Sequence, residues 1–292
     1  MLLLAAIWGA SFLFLRIAAP VVGPVAVAAF RVCLATLILL PFAMRHLQLQ
    51  QVRQAWLALV ISGLLSCALP FMGLSQAARQ MPAGLLSILN ATSPLWGALV
   101  GWLWAQERLS GQRAIGLALG FGGVAWLSLT HTPVGGHTPW IAIGLALGST
   151  LMYALAVHHS KRYLSGLQPI VVTTGCLLAA SLFLAGPALW LGPQSLAPMT
   201  ATTAHASSWS TVPVLAWAAL IGLAVLCTAW AYLLFFKLIN EIGPSRALTV
   251  TFLIPIFGML WGWLFLHEAI TTDMLICTAV IVAGTQLSNR ST

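Results

Sequence analysis

Charged residues are scarce in this chain, and acidic residues are the scarcest of all. Only 5% of the 292 residues are Asp, Glu, Lys or Arg, and four residues in total are acidic. A soluble domain carries about a quarter charged residues, because its surface must be compatible with water. With 60% hydrophobic residues, the composition predicts a protein integrated in a lipid bilayer.

The sequence also lacks the motifs that enzymes and metal proteins need. It contains no GxGxxG, P-loop or HExxH motif, no Ser/His/Asp arrangement and too few acids for a metal site. The five cysteines lie in apolar segments without a CxxC pair, so we expect small apolar side chains rather than disulfides. The sequence therefore predicts a non-enzyme without metal or cofactor. The scattered basic residues argue against nucleic-acid binding.

Long apolar runs take the place of these motifs. A helix of about twenty residues spans a hydrocarbon core of roughly 30 Å. Polar residues, Pro and Gly separate the runs, and the fold class predicted from them is an all-α integral membrane protein with ten transmembrane helices. The predicted spans are 2–19, 25–44, 55–75, 83–104, 114–130, 140–158, 170–192, 214–236, 245–266 and 274–289.

The basic residues predict the orientation of these spans. Cytoplasmic connections of membrane proteins are enriched in Lys and Arg. With a cytoplasmic N-terminus, the outer connections hold only Arg79, and Arg16 and Arg31 fall inside helices. Both termini are therefore predicted to be cytoplasmic. The nine basic residues on that side are Arg45, Arg53, Arg108, Arg113, Lys161, Arg162, Lys237, Arg246 and Arg290.

One stretch of the chain occurs twice. Pro94 to Glu107 (PLWGALVGWLWAQE) and Pro255 to Glu268 (PIFGMLWGWLFLHE) share seven of fourteen positions, at a constant offset of 161 (255 − 94 = 161). This offset takes predicted helix 4 onto helix 9, so each repeat has five helices. An odd number inverts the second repeat. We predict two inverted five-helix repeats, residues 1–134 and 135–292.

The repeated helix predicts a packing face and a cavity. The glycines after each proline would allow close helix packing in lipid. The prolines would kink each helix and free a carbonyl one turn earlier, which is tolerated beside a cavity. The kink residues are Pro94 and Pro255, the packing residues are Gly97, Gly101, Gly258 and Gly262, and the freed carbonyls belong to Asn90 and Thr251.

Polar and aromatic residues at similar depth in other helices complete the predicted substrate site. No Asp or Glu lies inside a predicted helix, although proton-coupled export of cations needs an intramembrane carboxylate. A phosphorylated or nucleotide-sugar substrate would need several buried cations, and only Arg16 and Arg31 are candidates, so a neutral, zwitterionic or aromatic substrate is favoured. Beside Asn90 and Thr251, the candidate lining is Trp8, Ser11, Gln76, Ser149, Tyr153, Trp230 and Tyr232.

These residues resemble a known family. The segment Ile7 to Phe12 (IWGASF), the doubled proline-to-Glu motif, Tyr232 ahead of Gly243-Pro244-Ser245, and Gly284 matching Gly123 look like the drug/metabolite transporter superfamily, EamA type. The resemblance implies ten helices in two inverted repeats, a central cavity, and export of small metabolites from a bacterial inner membrane. In general character the chain is most similar to the aromatic and neutral amino-acid exporters.

The sequence supports three hypotheses. The first is a monomeric carrier in the lipid bilayer that exports neutral or aromatic amino acids by alternating access, as uncoupled facilitated diffusion. The second is an exporter of lipophilic drugs or purine-like metabolites, with or without proton coupling. The third is a membrane scaffold or enzyme that transports nothing.

Overall fold

The protein is a bundle of apolar helices. The computed structural model describes residues 1–104, 106, 110–130, 140–193, 209–243, 247 and 249–288. Within these residues nine helices are long and apolar enough to cross a membrane, and Thr272–Ser288 is a shorter apolar helix. We label them α1 (Leu2–Val22), α2 (Pro24–Met44), α3 (Trp56–Ala78), α4 (Ala83–Leu103), α5 (Gly111–Thr130), α6 (Trp140–Tyr163), α7 (Pro169–Leu191), α8 (Val214–Ile242), α9 (Thr249–Leu266) and α10 (Thr272–Ser288).

The ten predicted helices are confirmed, but several extend beyond their predicted ends. A short helix, Leu49–Gln54, precedes α3. Pro20, predicted to lie in a connection, is inside α1, because a proline removes only one backbone hydrogen bond. Helix α1 ends at Val22, before Gly23 with a φ of 85°, and α8 ends at Ile242, before Gly243 with a φ of 83°.

Two helices contain a π-helical segment at equivalent positions of the repeat. Leu64–Ala68 interrupts α3 and Val225–Trp230 interrupts α8. Their first residues are separated by the repeat offset (225 − 64 = 161). A π segment inserts an extra residue in the helix and rotates the residues after it, and such segments are frequent at functional sites.

The predicted kinks at Pro94 and Pro255 are instead breaks in the helix. The first part of α4 ends at Asn90, and a second part begins at Ser93 with Pro94 in its first turn. Helix α9 opens as a 3₁₀ turn, and its α-helical part begins at Ile254, immediately before Pro255. A proline in the first turn costs little, because its missing N–H would have had no partner there.

The helices pack in a pattern with internal symmetry. The helices α5 and α10 pack together, as do α2 and α7; α1 contacts α9 and α8, while α6 contacts α4 and α3. Exchanging each helix for the one five positions away leaves this set of contacts unchanged. The pattern is that of two inverted five-helix repeats. The boundary between residues 134 and 135 stays a prediction.

The glycines of the repeated stretch do not act alike. A Cβ on Gly258 would overlap the Ser87 side chain, and one on Gly262 would meet the Glu268 carboxylate. Gly101 is buried, but a Cβ on Gly97 would have nothing within 4 Å. The packing role of these glycines stays a prediction; among the described residues, the side chain of Leu95, two residues before Gly97, contacts Gly120 of α5.

Candidate functional site

A cavity of about 530 Å³ lies in the centre of the bundle. Eight helices contribute described residues to its wall, whereas α5 and α10, which pack on each other, contribute none. A volume of this size fits a small organic solute. The cavity is therefore the candidate functional site.

Six of the nine predicted lining residues face this cavity. On one side Trp8 packs against Phe235, with ring centroids 5.3 Å apart, and both residues line the wall. The hydroxyl of Ser11 donates to the Trp8 carbonyl at 2.6 Å, so it is already bonded to its own helix. The six residues are Trp8, Ser11, Asn90, Tyr153, Tyr232 and Thr251.

The other three predicted residues are absent from the wall. Gln76 accepts a hydrogen bond from Arg79 Nη1 at 3.0 Å. Ser149 is buried between helices, where its hydroxyl bonds the carbonyls of Leu145 and Pro70 at 2.7 and 3.2 Å. The side chain of Trp230 is 55% exposed on the periphery of the bundle. The rotation of each helix about its own axis turns these side chains away from the cavity. The depth of a residue in the membrane can be estimated from the sequence, but this rotation cannot.

Asn90 lies at the break in α4. Its carbonyl, predicted to be freed by Pro94, accepts a hydrogen bond from the Ser93 hydroxyl at 2.7 Å. Ser93 lines the cavity together with Asn90. In the second repeat these positions are Thr251 and Ile254, which also line the cavity, so one side of the site is more polar than the other.

Residues separated by the repeat offset recur in the wall as pairs. In the equivalent helices α3 and α8 and in α4 and α9, five such pairs line the cavity: Ser66 with Cys227 (227 − 66 = 161), Phe71 with Tyr232 (232 − 71 = 161), Leu74 with Phe235 (235 − 74 = 161), Asn90 with Thr251 (251 − 90 = 161), and Ser93 with Ile254 (254 − 93 = 161). The offset was available in the sequence. Applied to Tyr232, it would have identified Phe71, which the prediction missed.

Arg31 is the most important residue that the prediction left out of the site. It lines the cavity from α2 and is 7% exposed. Its Nε donates to Thr228 Oγ1 at 2.8 Å, and its Cζ lies 3.8 Å from the centre of the Phe71 ring. The described residues of the wall include no carboxylate.

One end of the bundle is tied together by polar contacts. We call it the Glu268 end; α1, α3 and α9 end there, and α4 begins there. The Glu268 carboxylate accepts the N–H of Ala83 at 2.8 and 3.1 Å and lies 3.7 Å from Arg16 Nε. Arg16 Nη1 also donates to the carbonyls of Ala78 and Arg79, at 3.2 and 3.3 Å. These contacts hold four helices together. Glu107, the repeat equivalent of Glu268, lies outside the described residues.

The cavity extends towards the opposite end. We call it the Lys161 end; α6 and α8 end there, and α7 and α9 begin there. Its wall includes Ser160 near the end of α6, Thr173 near the start of α7 and Phe235 in the second half of α8. No residue of the Arg16–Glu268 contact belongs to the described wall. The described wall thus reaches residues at the Lys161 end but not the Arg16–Glu268 contact.

The bundle is apolar and has an inverted repeat. Its central cavity reaches towards one end, and polar contacts between helices hold the other end together. This architecture is that of a membrane carrier. The sequence profile of the EamA-like transporter family matches residues 1–129 and 140–290. The chain belongs to this family, as the resemblance implied. It is a multi-pass membrane transporter and not an enzyme.

Relatives with known sequences agree with this assignment. The uncharacterized transporter YvbV of Bacillus subtilis is 30% identical over 98% of this chain and 89% of its own length. The threonine/homoserine exporter RhtA of Escherichia coli is 24% identical over 91% and 81%. A probable terminal-alkyne amino-acid exporter of Streptantibioticus cattleyicolor is 23% identical over 73% and 66%.

A solved crystal structure supports the fold alone. It superposes with a TM-score of 0.65 over 98% of this chain and 94% of its own, at 18% sequence identity.

Proposed function

We propose that this transporter exports neutral or aromatic amino acids and related small metabolites by alternating access, as facilitated diffusion. The observation that carries the proposal is the central cavity of about 530 Å³. Its wall combines aromatic side chains such as Trp8 and Tyr153 with the uncharged polar group of Asn90. Such a lining suits a small solute with an apolar or aromatic body and a few polar groups.

Two relatives support the substrate class. The names of RhtA and of the Streptantibioticus protein describe exporters of amino acids. Both are well below a third identical to this chain, so we transfer the chemical class and not the individual substrate.

The distribution of acids supports an uncoupled mechanism. A proton-coupled carrier needs a group inside the membrane that binds and releases the proton, most often a carboxylate. Among the described acids, Glu241 is near the end of α8 and pairs with Lys237 at 3.8 Å, Glu268 follows α9, and Asp273 is in the first turn of α10. None of the three faces the cavity.

The proposal includes an orientation. We place residues 1–134 and 135–292 as the two halves of a monomer in a bacterial inner membrane, with both termini in the cytoplasm. Lys161 and Arg162 then lie on the cytoplasmic side, in agreement with the distribution of basic residues. The cavity would be accessible from the cytoplasm, which is the side where an exporter takes up its solute.

Counterflow in proteoliposomes tests this function. Vesicles preloaded with tryptophan, phenylalanine, threonine or methionine should take up the same labelled amino acid with saturable kinetics. An imposed pH gradient should leave the rate unchanged, and a steep dependence on the gradient would exclude the uncoupled mechanism.

The same vesicles distinguish the alternative substrate class. The aromatic side chains of the wall also suit lipophilic or purine-like compounds. If these compounds show saturable flux while the whole amino-acid panel shows none, the second class replaces the first. An absence of flux for every solute would favour a non-transporting role.

A further inference from the structure

Arg31 is the only charged side chain among the described residues of the cavity wall. It is 7% exposed, and what remains accessible faces a central cavity inside the membrane. A cation at such a depth is costly, and in membrane proteins it usually marks a functional group with a defined partner. The question is what neutralises it.

The protein holds one edge of the guanidinium in place. Thr228, in the π segment of α8, uses its own hydroxyl proton in a hydrogen bond of 2.7 Å to the carbonyl of Leu223, five residues earlier. Its oxygen is therefore oriented to accept the Arg31 Nε, at 2.8 Å. Phe71 covers a face of the group, 3.8 Å from Cζ. This arrangement fixes the plane of the guanidinium.

The other edge of the guanidinium has no partner among the residues that the structure describes. Within the described part of the chain, neither Nη1 nor Nη2 of Arg31 donates a hydrogen bond, and no carboxylate pairs with it. The ion pairs of Glu268 and Glu241 are made with Arg16 and Lys237. A buried charge without a counter-ion destabilises the protein. An anionic ligand in the cavity would remove that cost.

We propose that Arg31 binds the carboxylate of the transported solute and so selects solutes with one carboxylate over their amides, esters and amines. The proposal rests on the transport function above and narrows its substrate class. The Nη edge of a guanidinium matches the two oxygens of a carboxylate in a bidentate pair. One positive charge balances one negative charge, whereas a phosphate dianion would leave excess charge in a wall with no second described cation.

The other residues of the wall strengthen the preference for a carboxylate over an ammonium group. An amino acid also carries an ammonium group, and the described wall offers it hydroxyl and carbonyl oxygens but no acid. The aromatic pair Trp8 and Phe235 can contact an apolar body. A carboxylic acid that lacks the amino group should therefore bind at least as well as the corresponding amino acid.

Competition in the wild-type protein tests the proposal without any substitution. Counterflow of labelled phenylalanine is measured against excess 3-phenylpropionate, phenylalaninamide and phenethylamine. We expect 3-phenylpropionate to compete at least as well as phenylalanine, and the amide and amine to be weaker by about tenfold or more, as for loss of a charged hydrogen bond. Equal competition by the amide would overturn the role of Arg31 while leaving the transport function intact.

Variants test the residue itself. Arg31→Gln should reduce phenylalanine counterflow by about tenfold or more and abolish the preference for carboxylates, and Arg31→Lys should be intermediate because it keeps the charge without the fork. Arg53→Gln is the matched control, since Arg53 is exposed in the short helix before α3. Wild-type selectivity in Arg31→Gln would refute the proposal.

Ligand-induced thermal stabilisation in detergent separates this proposal from the function on which it rests. Benzoate and 3-phenylpropionate should raise the Tm of the wild-type protein, while benzamide, sodium chloride at equal ionic strength and methyl phosphate should not. Selective stabilisation without amino-acid flux would sink the proposed transport of amino acids but support Arg31 as a carboxylate site. An equal shift with benzamide, chloride or methyl phosphate, or no shift with either carboxylate, would overturn the carboxylate assignment.

Discussion

The carboxylate of Glu268 links Arg16 to the N-terminus of α4: it lies 3.7 Å from Arg16 Nε and accepts the Ala83 N–H at 2.8 Å. A side-chain oxygen on the first N–H groups of a helix acts as an N-terminal cap. The ion pair is partly exposed, with 35% of the Arg16 side chain accessible, so most of the stabilisation should come from the cap.

Substitutions of Glu268 should separate these two contributions. Glu268→Gln keeps an oxygen acceptor and should change stability little, whereas Glu268→Ala loses the cap and should lower the free energy of unfolding by about 1–2 kcal/mol. Thermal unfolding in detergent measures both variants. Glu241→Ala, which removes an exposed pair with Lys237, serves as the control. Equal losses in Gln and Ala would show that the charge, and not the cap, stabilises this end.

The two equivalent glycines Gly97 and Gly258 should respond differently to alanine. A Cβ on Gly258 would collide with Ser87, so Gly258→Ala should lower the Tm and reduce flux. Gly97 has open space, so Gly97→Ala should be neutral or stabilising by up to about 1 kcal/mol, the difference in helix propensity. The double variant Gly258→Ala with Ser87→Gly should recover the Tm. Failure of that rescue would mean that the Gly258–Ser87 contact is not the cause.

Thr228 should affect substrate affinity through Arg31. Thr228→Val removes the oxygen that accepts the Nε hydrogen bond, at nearly constant volume, and should raise the KM for a carboxylate solute by about tenfold with little change in maximal rate. Thr285→Val is a matched control, because Thr285 is equally buried and its hydroxyl bonds, among the described residues, only the Ile281 carbonyl of its own helix. Similar effects of both variants would indicate a general loss of stability instead.

Substitution of Trp8 should affect transport, whereas substitution of Trp230 should not. Trp8 lines the cavity against Phe235, whereas Trp230 is 55% exposed on the periphery. Trp8→Leu should raise the half-saturation concentration for aromatic solutes several-fold, which corresponds to about 1 kcal/mol of binding free energy, through loss of aromatic contacts. Trp230→Leu should leave the flux unchanged. The half-saturation concentrations for tryptophan and threonine, compared between the variants, measure this difference.

The global fold was predictable because membrane helices are defined by length and apolarity, both of which are local properties. The ten spans follow from them, the inverted repeat follows from the duplicated stretch at an offset of 161 residues, and the family match confirms the fold. Helix ends were less predictable. Helix α1 was expected to end at residue 19, before Pro20, whereas it ends at Val22, because the positive φ of Gly23 stops the helix.

The site was partly predictable because depth in the membrane can be estimated from the sequence but rotation cannot. Asn90 and Thr251 were found through the repeat, and both line the cavity. Ser149 has the expected depth but turns towards Pro70. The π segments of α3 and α8 rotate the residues after them relative to an ideal helix, and no local pattern in one sequence announces such a segment.

The five unlike pairs of the cavity wall have a kinetic consequence. When the halves exchange their conformations, a solute held by Asn90 and Ser93 in one state would meet Thr251 and Ile254 in the equivalent positions of the other. The affinities on the two faces of the membrane should therefore differ. In an uncoupled carrier, however, detailed balance requires the ratio of maximal rate to KM to be equal in both directions. Any higher affinity on one face must then be matched by a slower maximal rate from that face.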